Sequence, residues 1–343
     1  MHQDGVYAEP LRAQGVAVES LGMARGRLAA GALARLRHRI AEFHPDVVQT
    51  RLYHADLLGG LMARFAGMPP VVWAVHATDL GSWRAAWKTR LVRRCCAWAS
   101  RTVPVSIVSD ARSTATLHQK LGYPEAKLVV IRNGIDSGAF LPDAAARARV
   151  RSSWQVAADT PLIGCVARWD PAKDHENLLR AVAMLATRRA DLRCALIGTG
   201  MTTENLQLRR TIERCGLLDR VVLAGPSGDV PAVMNALDVH VLSSRSESLP
   251  VAVMEAMACG TLSVVTDVGD AREIVGELGW VAPPRDPAAL SEAIAAALRE
   301  HDAGAGRERA LAGRARMVSE FSLAHMAQGY ADLWRSASEV RSH

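Results

Sequence analysis

The sequence predicts an α/β protein of two doubly wound units that face each other across a cleft. Three observations predict it. Short apolar runs rich in β-branched residues alternate with longer runs of helical spacing, the pattern of parallel sheets covered by helices. The alternation breaks once, over an Ala/Arg-rich stretch from Asp136 to Trp154 that carries Pro142, and then restarts. The 343 residues suffice for two domains of ordinary size.

In the first unit, residues 15–20 read as a short strand. Residues 28–43 read as a helix with Leu28, Leu33, Leu36 and Ile40 at helical spacing, stopped by His44-Pro45-Asp46. Strand 47–50, helix 55–66 ended by Gly67, and strand 70–75 with His76 at its carboxyl end follow. Helix 83–99, strand 102–109, helix 110–121 and strand 128–132 lead to the Asn133-Gly134 turn. In the second unit strands are expected at 162–168, 193–197, 221–223, 239–242 and 262–266. Helices are expected at 176–189, 204–215, 230–236, 251–258, 288–299 and 322–337. This divides the chain into a first domain at 1–141, a linker at 142–158, a second domain at 159–320, and a C-terminal helix at 321–343 that crosses back to the first domain.

Net charge is +6 but uneven: residues 1–150 hold 20 Lys and Arg against 11 Asp and Glu (+9), and residues 151–343 hold 21 against 24 (−3). A basic first half suits an anionic membrane surface, a phosphorylated substrate or nucleic acid, and equally an Arg-rich solvated surface. No nucleic-acid-reading motif is present, which disfavours the third partner. The six cysteines form no C-x-x-C pair and match no zinc or disulfide spacing, so they read as reduced thiols in a cytoplasmic protein. The polar Met1-His2-Gln3-Asp4-Gly5 opening does not read as a signal peptide. No uncharged apolar run reaches the roughly 18–20 residues of a spanning helix, so the protein is expected to be soluble or peripheral.

Ligands in such sheets bind outside the carboxyl ends of the strands. At one of these ends, Ser243-Ser244-Arg245-Ser246-Glu247-Ser248-Leu249-Pro250 leads into a helix that carries Glu255 and ends at Gly260. A helix start offers free N–H groups and partial positive charge to a phosphate. Two carboxylates beside it can accept from sugar or ribose hydroxyls, or stand as ordinary acids near a helix dipole. At another end lie Arg168 and Lys173, two cations able to clamp a diphosphate and stabilise a leaving nucleoside diphosphate, or simply exposed. His76 is a candidate hydrogen-bonding or acid–base partner of a sugar, or a structural histidine; His54 is given the structural role. Gly198-Thr199-Gly200 and Gly225-Pro226-Ser227-Gly228-Asp229-Val230 are loops whose backbone permits close approach of a base or makes plain turns. The first lacks the third glycine and downstream acid of a dinucleotide fingerprint, which argues against NAD. In 83–98, Trp83, Trp87, Leu91 and Trp98 share one helical face amid Arg84, Lys88, Arg90, Arg93 and Arg94. Such a helix lies on an anionic bilayer, or packs its Trp stripe on the sheet with a solvated basic face.

Together these residues resemble the family 4 glycosyltransferases of GT-B fold, with its two Rossmann-like domains, over most of the chain and in family order. The carrying motifs are Arg168…Lys173 in V-x-R-x-x-P-x-K with Trp169-Asp170 varying the middle, Asn133-Gly134-Ile135-Asp136, Glu247…Glu255 followed by Ala256-Met257-Ala258-Cys259-Gly260, and Val264-Val265-Thr266-Asp267-Val268-Gly269 followed by Glu273. The resemblance implies that Arg168 and Lys173 bind a donor diphosphate, that Glu255 takes the ribose hydroxyls, and that Glu247 contacts the transferred sugar. Amides around Ser248, Leu249 and Pro250 would hold the distal phosphate and His76 would hydrogen-bond the sugar, with Gly198, Gly228 and Asp229 completing the donor-binding set. It further implies a retaining hexosyltransferase of cell-envelope or exopolysaccharide synthesis. That enzyme uses no cofactor beyond the nucleotide-sugar co-substrate and no metal, in keeping with the absence of a D-x-D signature.

Family members open with a strand, a glycine-rich loop and a helix, whereas Met1–Pro10 here reads as a position after the second strand. The first domain is therefore expected to be incomplete, with lowered activity or stability. Two competing readings follow: a nucleotide-sugar-binding protein of impaired catalysis, and a GT-B sugar-nucleotide 2-epimerase.

Overall fold

The computed structural model describes residues 7–23, 29–76 and 87–340. They build two parallel sheets. The first holds β1 (Val48–Arg51), β2 (Val71–Val75), β3 (Ser106–Ser109) and β4 (Leu128–Val130) in spatial order 1-2-3-4. The second holds β5 (Leu162–Val166), β6 (Arg193–Ile197), β7 (Val221–Gly225), β8 (Val239–Leu242), β9 (Leu262–Thr266) and β10 (Trp280–Ala282) in order 10-9-8-5-6-7. Around the first sheet come α1 (Ala8–Ala13), α2 (Ala30–Phe43), α3 (Tyr53–Phe65), α4 (Trp87–Ala99) and α5 (Arg112–Lys120). Around the second come α6 (Ala144–Ser153), α7 (His175–Ala186), α8 (Leu206–Arg214), α9 (Val230–Ala236), α10 (Val251–Ala258), α11 (Ala271–Val275), α12 (Pro287–Asp302) and α13 (Gly306–Glu320), and α14 (Leu323–Glu339) closes the chain. The two parallel-sheet, Rossmann-like α/β units predicted from the sequence are thus present; the second is doubly wound, whereas the four described strands of the first follow one another in a single direction.

Strands covered on both faces must be apolar throughout, and all five residues of Val71-Val72-Trp73-Ala74-Val75 are buried. On one face of the second sheet Leu178, Leu179, Val182 and Leu185 of α7 pack on Ile163 and Leu196; on the other, Val253, Met254 and Met257 of α10 pack on Leu242 and Val265. Each such side chain contributes about 1.5–3 kcal/mol on burial.

The strand expected at 15–20 does not form. Most of these residues are exposed, and they pair with no strand among the described residues; an apolar alternation without a neighbouring ladder has nothing to stabilise it. The helix expected at 83–99 is described from Trp87 onward, and residues 83–86 lie outside the described residues. The sequence reading omitted α1, α11, β10 and α13.

Two chain crossings join the units side by side. Ile135 N–H donates to Phe321 O at 2.8 Å and Leu323 N–H to Ile135 O at 2.9 Å. Only glycine fits beside them, since a Cβ on Gly134 would stand 2.5 Å from Leu323 Cα. Beyond this crossing α14 lays Met326, Tyr330, Leu333 and Ala337 on Val72, Val108 and Ile131 of the first unit. Helix α6 packs on α9 and is anchored by Asp238, whose side chain is 2% exposed. Asp238 accepts from Arg147 at 2.5 Å, Arg151 at 3.4 Å and Leu162 N–H at 2.7 Å.

Candidate functional site

In the second sheet β5 lies between β8 and β6, so the strand order reverses between β5 and β8. A crevice outside the carboxyl ends at such a switch point is where open α/β sheets hold ligands. The loops leaving these two strands carry the predicted cations and acids. Lys173 ends a 3-10 turn, Pro171–Lys173, started by Asp170, whose side chain accepts from Ala172 N–H at 2.9 Å. Lys173 Nζ donates to Glu247 Oε1 at 2.6 Å, with side chains 23% and 11% exposed. Ser244 Oγ donates to the same oxygen at 2.5 Å, and Ser243 Oγ donates to Lys173 O at 2.8 Å. An ammonium has three donors, so two of Lys173's remain for ligand oxygens.

Arg168 stands at the rim of the crevice. Its side chain is 70% exposed and steadied by Asp170 through Nη2 at 3.0 Å and Nε at 3.2 Å. The Ala172 N–H, and after it the Arg168 guanidinium, hold the Asp170 carboxyl below its ordinary range. Arg245 forks onto Asp174 with two 2.6 Å bonds, tying the β8 loop to the start of α7. Neither Arg245 nor Asp174 was singled out from sequence; an arginine next to a strand-end serine was the available signal.

Helix α10 starts at Pro250 without a side-chain cap, whereas α6, α8, α9, α12 and α14 are capped by Asp143, Asn205, Asp229, Asp286 and Ser322. The first N–H groups of α10 therefore have no carboxylate or hydroxyl competing for them, next to Ser248, Leu249 and Pro250. One turn into the helix, Glu255 is half-buried, and burial holds its carboxyl above the ordinary range. Hydroxyl donors from a ribose would favour its ionised form.

The turn carrying Glu247 is braced from β9. Gly269 has φ +56, and its Cβ position lies 2.4 Å from Glu247 O and 2.5 Å from Ser248 O, so no larger residue fits. The next residue, Asp270, donates its N–H to Ser248 O at 2.9 Å. The Asp270 carboxylate crosses to the first unit, where it accepts from Arg112 N–H at 2.7 Å and Ser113 N–H at 2.9 Å at the start of α5. Glu273 binds Arg132 and lies 3.2 Å from Arg112, so two ion pairs join the Asp270 bonds in holding the two units together here.

Across this junction His76 follows β2 and Asp110 follows β3, with Asp110 bonded to Ser248 of the second unit. His76 is mostly buried, with a side chain 12% exposed. His118, on the same side of the first unit, hydrogen-bonds Thr114 O at 2.7 Å and Tyr53 Oη at 2.9 Å, and burial lowers its pKa.

The remaining predicted residues sit as follows. Gly198 has φ +137 and its Cβ position lies 2.2 Å from Ala167 O, so its close approach is to the loop carrying Arg168. Gly228 has open space around it, and Asp229 caps α9 through Ala232 N–H at 3.1 Å while bonding Arg149 at 3.0 Å. On α4, Leu91 and Trp98 are 53% and 76% exposed rather than packed on the sheet. Trp83 and the side chain of Trp87 lie outside the described residues. Burial pushes the Cys96, Cys165 and Cys259 thiols up to about 12, which makes them poor nucleophiles. No described helix is long and apolar enough to cross a membrane.

Comparison with known proteins covers both halves. Residues 3–138 match the family described as Glycosyltransferase Family 4, and residues 160–300 match Glycosyl transferases group 1. The chain is 28% identical over 272 residues to the GDP-mannose-dependent alpha-(1-6)-phosphatidylinositol monomannoside mannosyltransferase of Mycolicibacterium smegmatis, covering 76% of this chain and 69% of that one. It is 31% identical over 285 residues to the 2-deoxystreptamine N-acetyl-D-glucosaminyltransferase of Streptomyces fradiae, covering 75% and 64%. Among solved structures, Anabaena Alr3699/HepE in complex with UDP-glucose superposes with a TM-score of 0.84 at 22% identity, over 97% of this chain and 90% of that one, a likeness of fold. With its two halves matched in order and its two parallel-sheet units arranged as in that structure, the chain belongs to the group 1 glycosyltransferases of GT-B fold.

Proposed function

We propose that the protein transfers a hexose-type sugar from a nucleotide-diphosphate sugar to a polysaccharide, lipid-linked or other glycan acceptor, with retention, in cell-envelope or exopolysaccharide synthesis. The carrying observation is the Lys173–Glu247 pair at the β5/β8 switch point, beside the uncapped start of α10. In this reading Lys173 and Arg168 hold the diphosphate and neutralise charge as the nucleoside diphosphate leaves. The N–H groups of Ser248 and Leu249 and those opening α10 after Pro250 take the distal phosphate, Glu255 takes the ribose hydroxyls, and Glu247 and His76 orient the sugar. Gly198, Gly228 and Asp229 border the nucleoside end. Glu247 is already engaged by Lys173 and Ser244. That favours front-face displacement, in which the leaving diphosphate takes the acceptor's proton, over attack by an enzyme carboxylate. By their names the two relatives use GDP-mannose on a phosphatidylinositol mannoside and transfer N-acetylglucosamine to 2-deoxystreptamine, so the donor class is better supported than the acceptor.

A peripheral site at the cytoplasmic membrane face is part of the proposal. Exposed Trp98 and Leu91 lie on the same helix as Arg90, Arg93 and Arg94, which line one crevice with Ala97 and Leu121. Co-sedimentation with liposomes should rise with anionic lipid; binding indifferent to it would remove the membrane from the proposal. The donor is tested by a thermal-shift screen of UDP-, GDP- and ADP-sugars, since a ligand that binds only the folded state raises its melting temperature. Stabilisation by one class is expected, and none by any class would refute the donor site.

A further inference from the structure

The ends of β2 and β3 are hydrogen-bonded neighbours, which brings His76 and Asp110 together. His76 Nδ1 lies 3.3 Å from Asp110 Oδ2, with side chains 12% and 8% exposed. The other Asp110 oxygen, Oδ1, accepts from Ser248 Oγ at 2.7 Å. A carboxylate has no proton to give, so Ser248 spends its own on Asp110. The 2.7 Å contact between Thr114 Oγ1 and Ser248 Oγ is then donated by Thr114. One polarised chain therefore runs from Thr114 through Ser248 to Asp110 and arrives beside His76. Three members stand on the first unit, and Ser248 stands on the donor-side loop of the second. Neither ring nitrogen of His76 has a hydrogen-bond partner among the described residues.

We propose that Asp110 is the positioning residue of His76. It keeps the proton on Nδ1, so that Nε2 presents a lone pair to a hydroxyl of the donor sugar, and Ser248 makes this orientation depend on docking of the second unit. The alternative tautomer would set an imidazole lone pair against a carboxylate across 3.3 Å, a repulsive arrangement where both side chains are mostly buried. The contact is longer than a formed hydrogen bond, and catalytic hydrogen bonds shorten in the reacting complex. Asp110 makes and breaks no bond; it fixes which ring nitrogen is the acceptor. The inference rests on the transferase reading given above.

The test has one readout without substrate and one with it. In the full-length protein, nitrogen-15 NMR of the imidazoles at alkaline pH reports the neutral tautomer, with His76 assigned by difference from His76→Gln. The expected result is a protonated Nδ1 in the wild type, shifting toward a protonated Nε2 in Asp110→Asn. A protonated Nε2 in the wild type, or no shift in Asp110→Asn, overturns the proposal whatever the transferase assay gives. If instead no nucleotide sugar is turned over by the wild type, the transferase reading fails while the tautomer result stands. With turnover, Asp110→Asn should lower kcat by about 10- to 100-fold with donor KM changed less than about twofold, and Asp110→Glu should recover part of the loss. An unchanged kcat, or a loss confined to KM, overturns the positioning role.

Discussion

Replacing Gly269 by alanine tests how the fold holds the candidate site. The new Cβ would stand 2.4 Å from Glu247 O and 2.5 Å from Ser248 O, where ordinary contact begins at 3.4 Å. Both obstacles are backbone atoms, so relief requires the Glu247–Ser248 turn to retreat by about 1 Å, a displacement that costs on the order of 100-fold in rate at a positioned site. The φ of +56 adds strain for any residue with a Cβ. Left-handed strain and overpacking together cost about 2–5 kcal/mol, or a melting temperature lower by about 5–15 °C for a domain of this size. Ser248 would also withdraw from Asp110, and Glu247 from Lys173. Differential scanning calorimetry and nucleotide-sugar titration of Gly269→Ala should show both losses. A variant with wild-type melting temperature and donor affinity would refute the claim that this glycine braces the donor loop.

Two further perturbations follow from buried charge. Asp56 is 0% exposed and burial pushes its carboxyl up to about 7, against the opposing hydrogen bonds from Thr50 and Ala74. The folded state then holds its proton more tightly than the unfolded one, so this group's contribution to stability is fully present at low pH and falls as pH rises from about 4 to about 7. Asp56→Asn should flatten that decline in urea melts across the window, and an identical pH dependence in both proteins would contradict it. Asp238→Ala leaves Arg147 and the 3% exposed Arg151 without their carboxylate, and should cost about 3–5 kcal/mol by chemical denaturation; a loss below about 1 kcal/mol would show that the cluster does not anchor α6.

Legibility in the sequence followed burial. Residues 193–197, 230–236, 239–242, 251–258 and 262–266 were bounded as the structure has them, because apolar runs covered on both faces end where chain polarity changes. Helix α13 was missed because only Gly306, Gly313 and Met317 are buried along Gly306–Glu320, too few for an apolar stripe. Strand β10 and helix α11 have three and five residues, too short for periodicity to register. At the candidate site, residue types at strand ends pointed to Arg168, Lys173, Glu247 and His76 singly. The bonds that organise them join positions far apart in the chain: Lys173 to Glu247 across 74 residues, Ser248 to Asp110 across 138, and Asp270 to Arg112 across 158. Asp110 passed as the first residue of a helix, although its place after β3 matched that of His76 after β2. The exposure of Trp98 was equally out of reach, since a Trp stripe reads alike whether it meets a sheet or solvent.

The most direct test of the account is release of nucleoside diphosphate by the purified protein, with the wild type compared to Lys173→Met. The account predicts turnover of one class of nucleotide sugar by the wild type. It predicts a loss of at least about 100-fold in the variant, the scale on which removing a donor to developing negative charge acts. The variant should otherwise be folded, as judged by its melting transition. A variant that keeps the wild-type rate, or a wild type that releases no nucleoside diphosphate from any UDP-, GDP- or ADP-sugar, would contradict it.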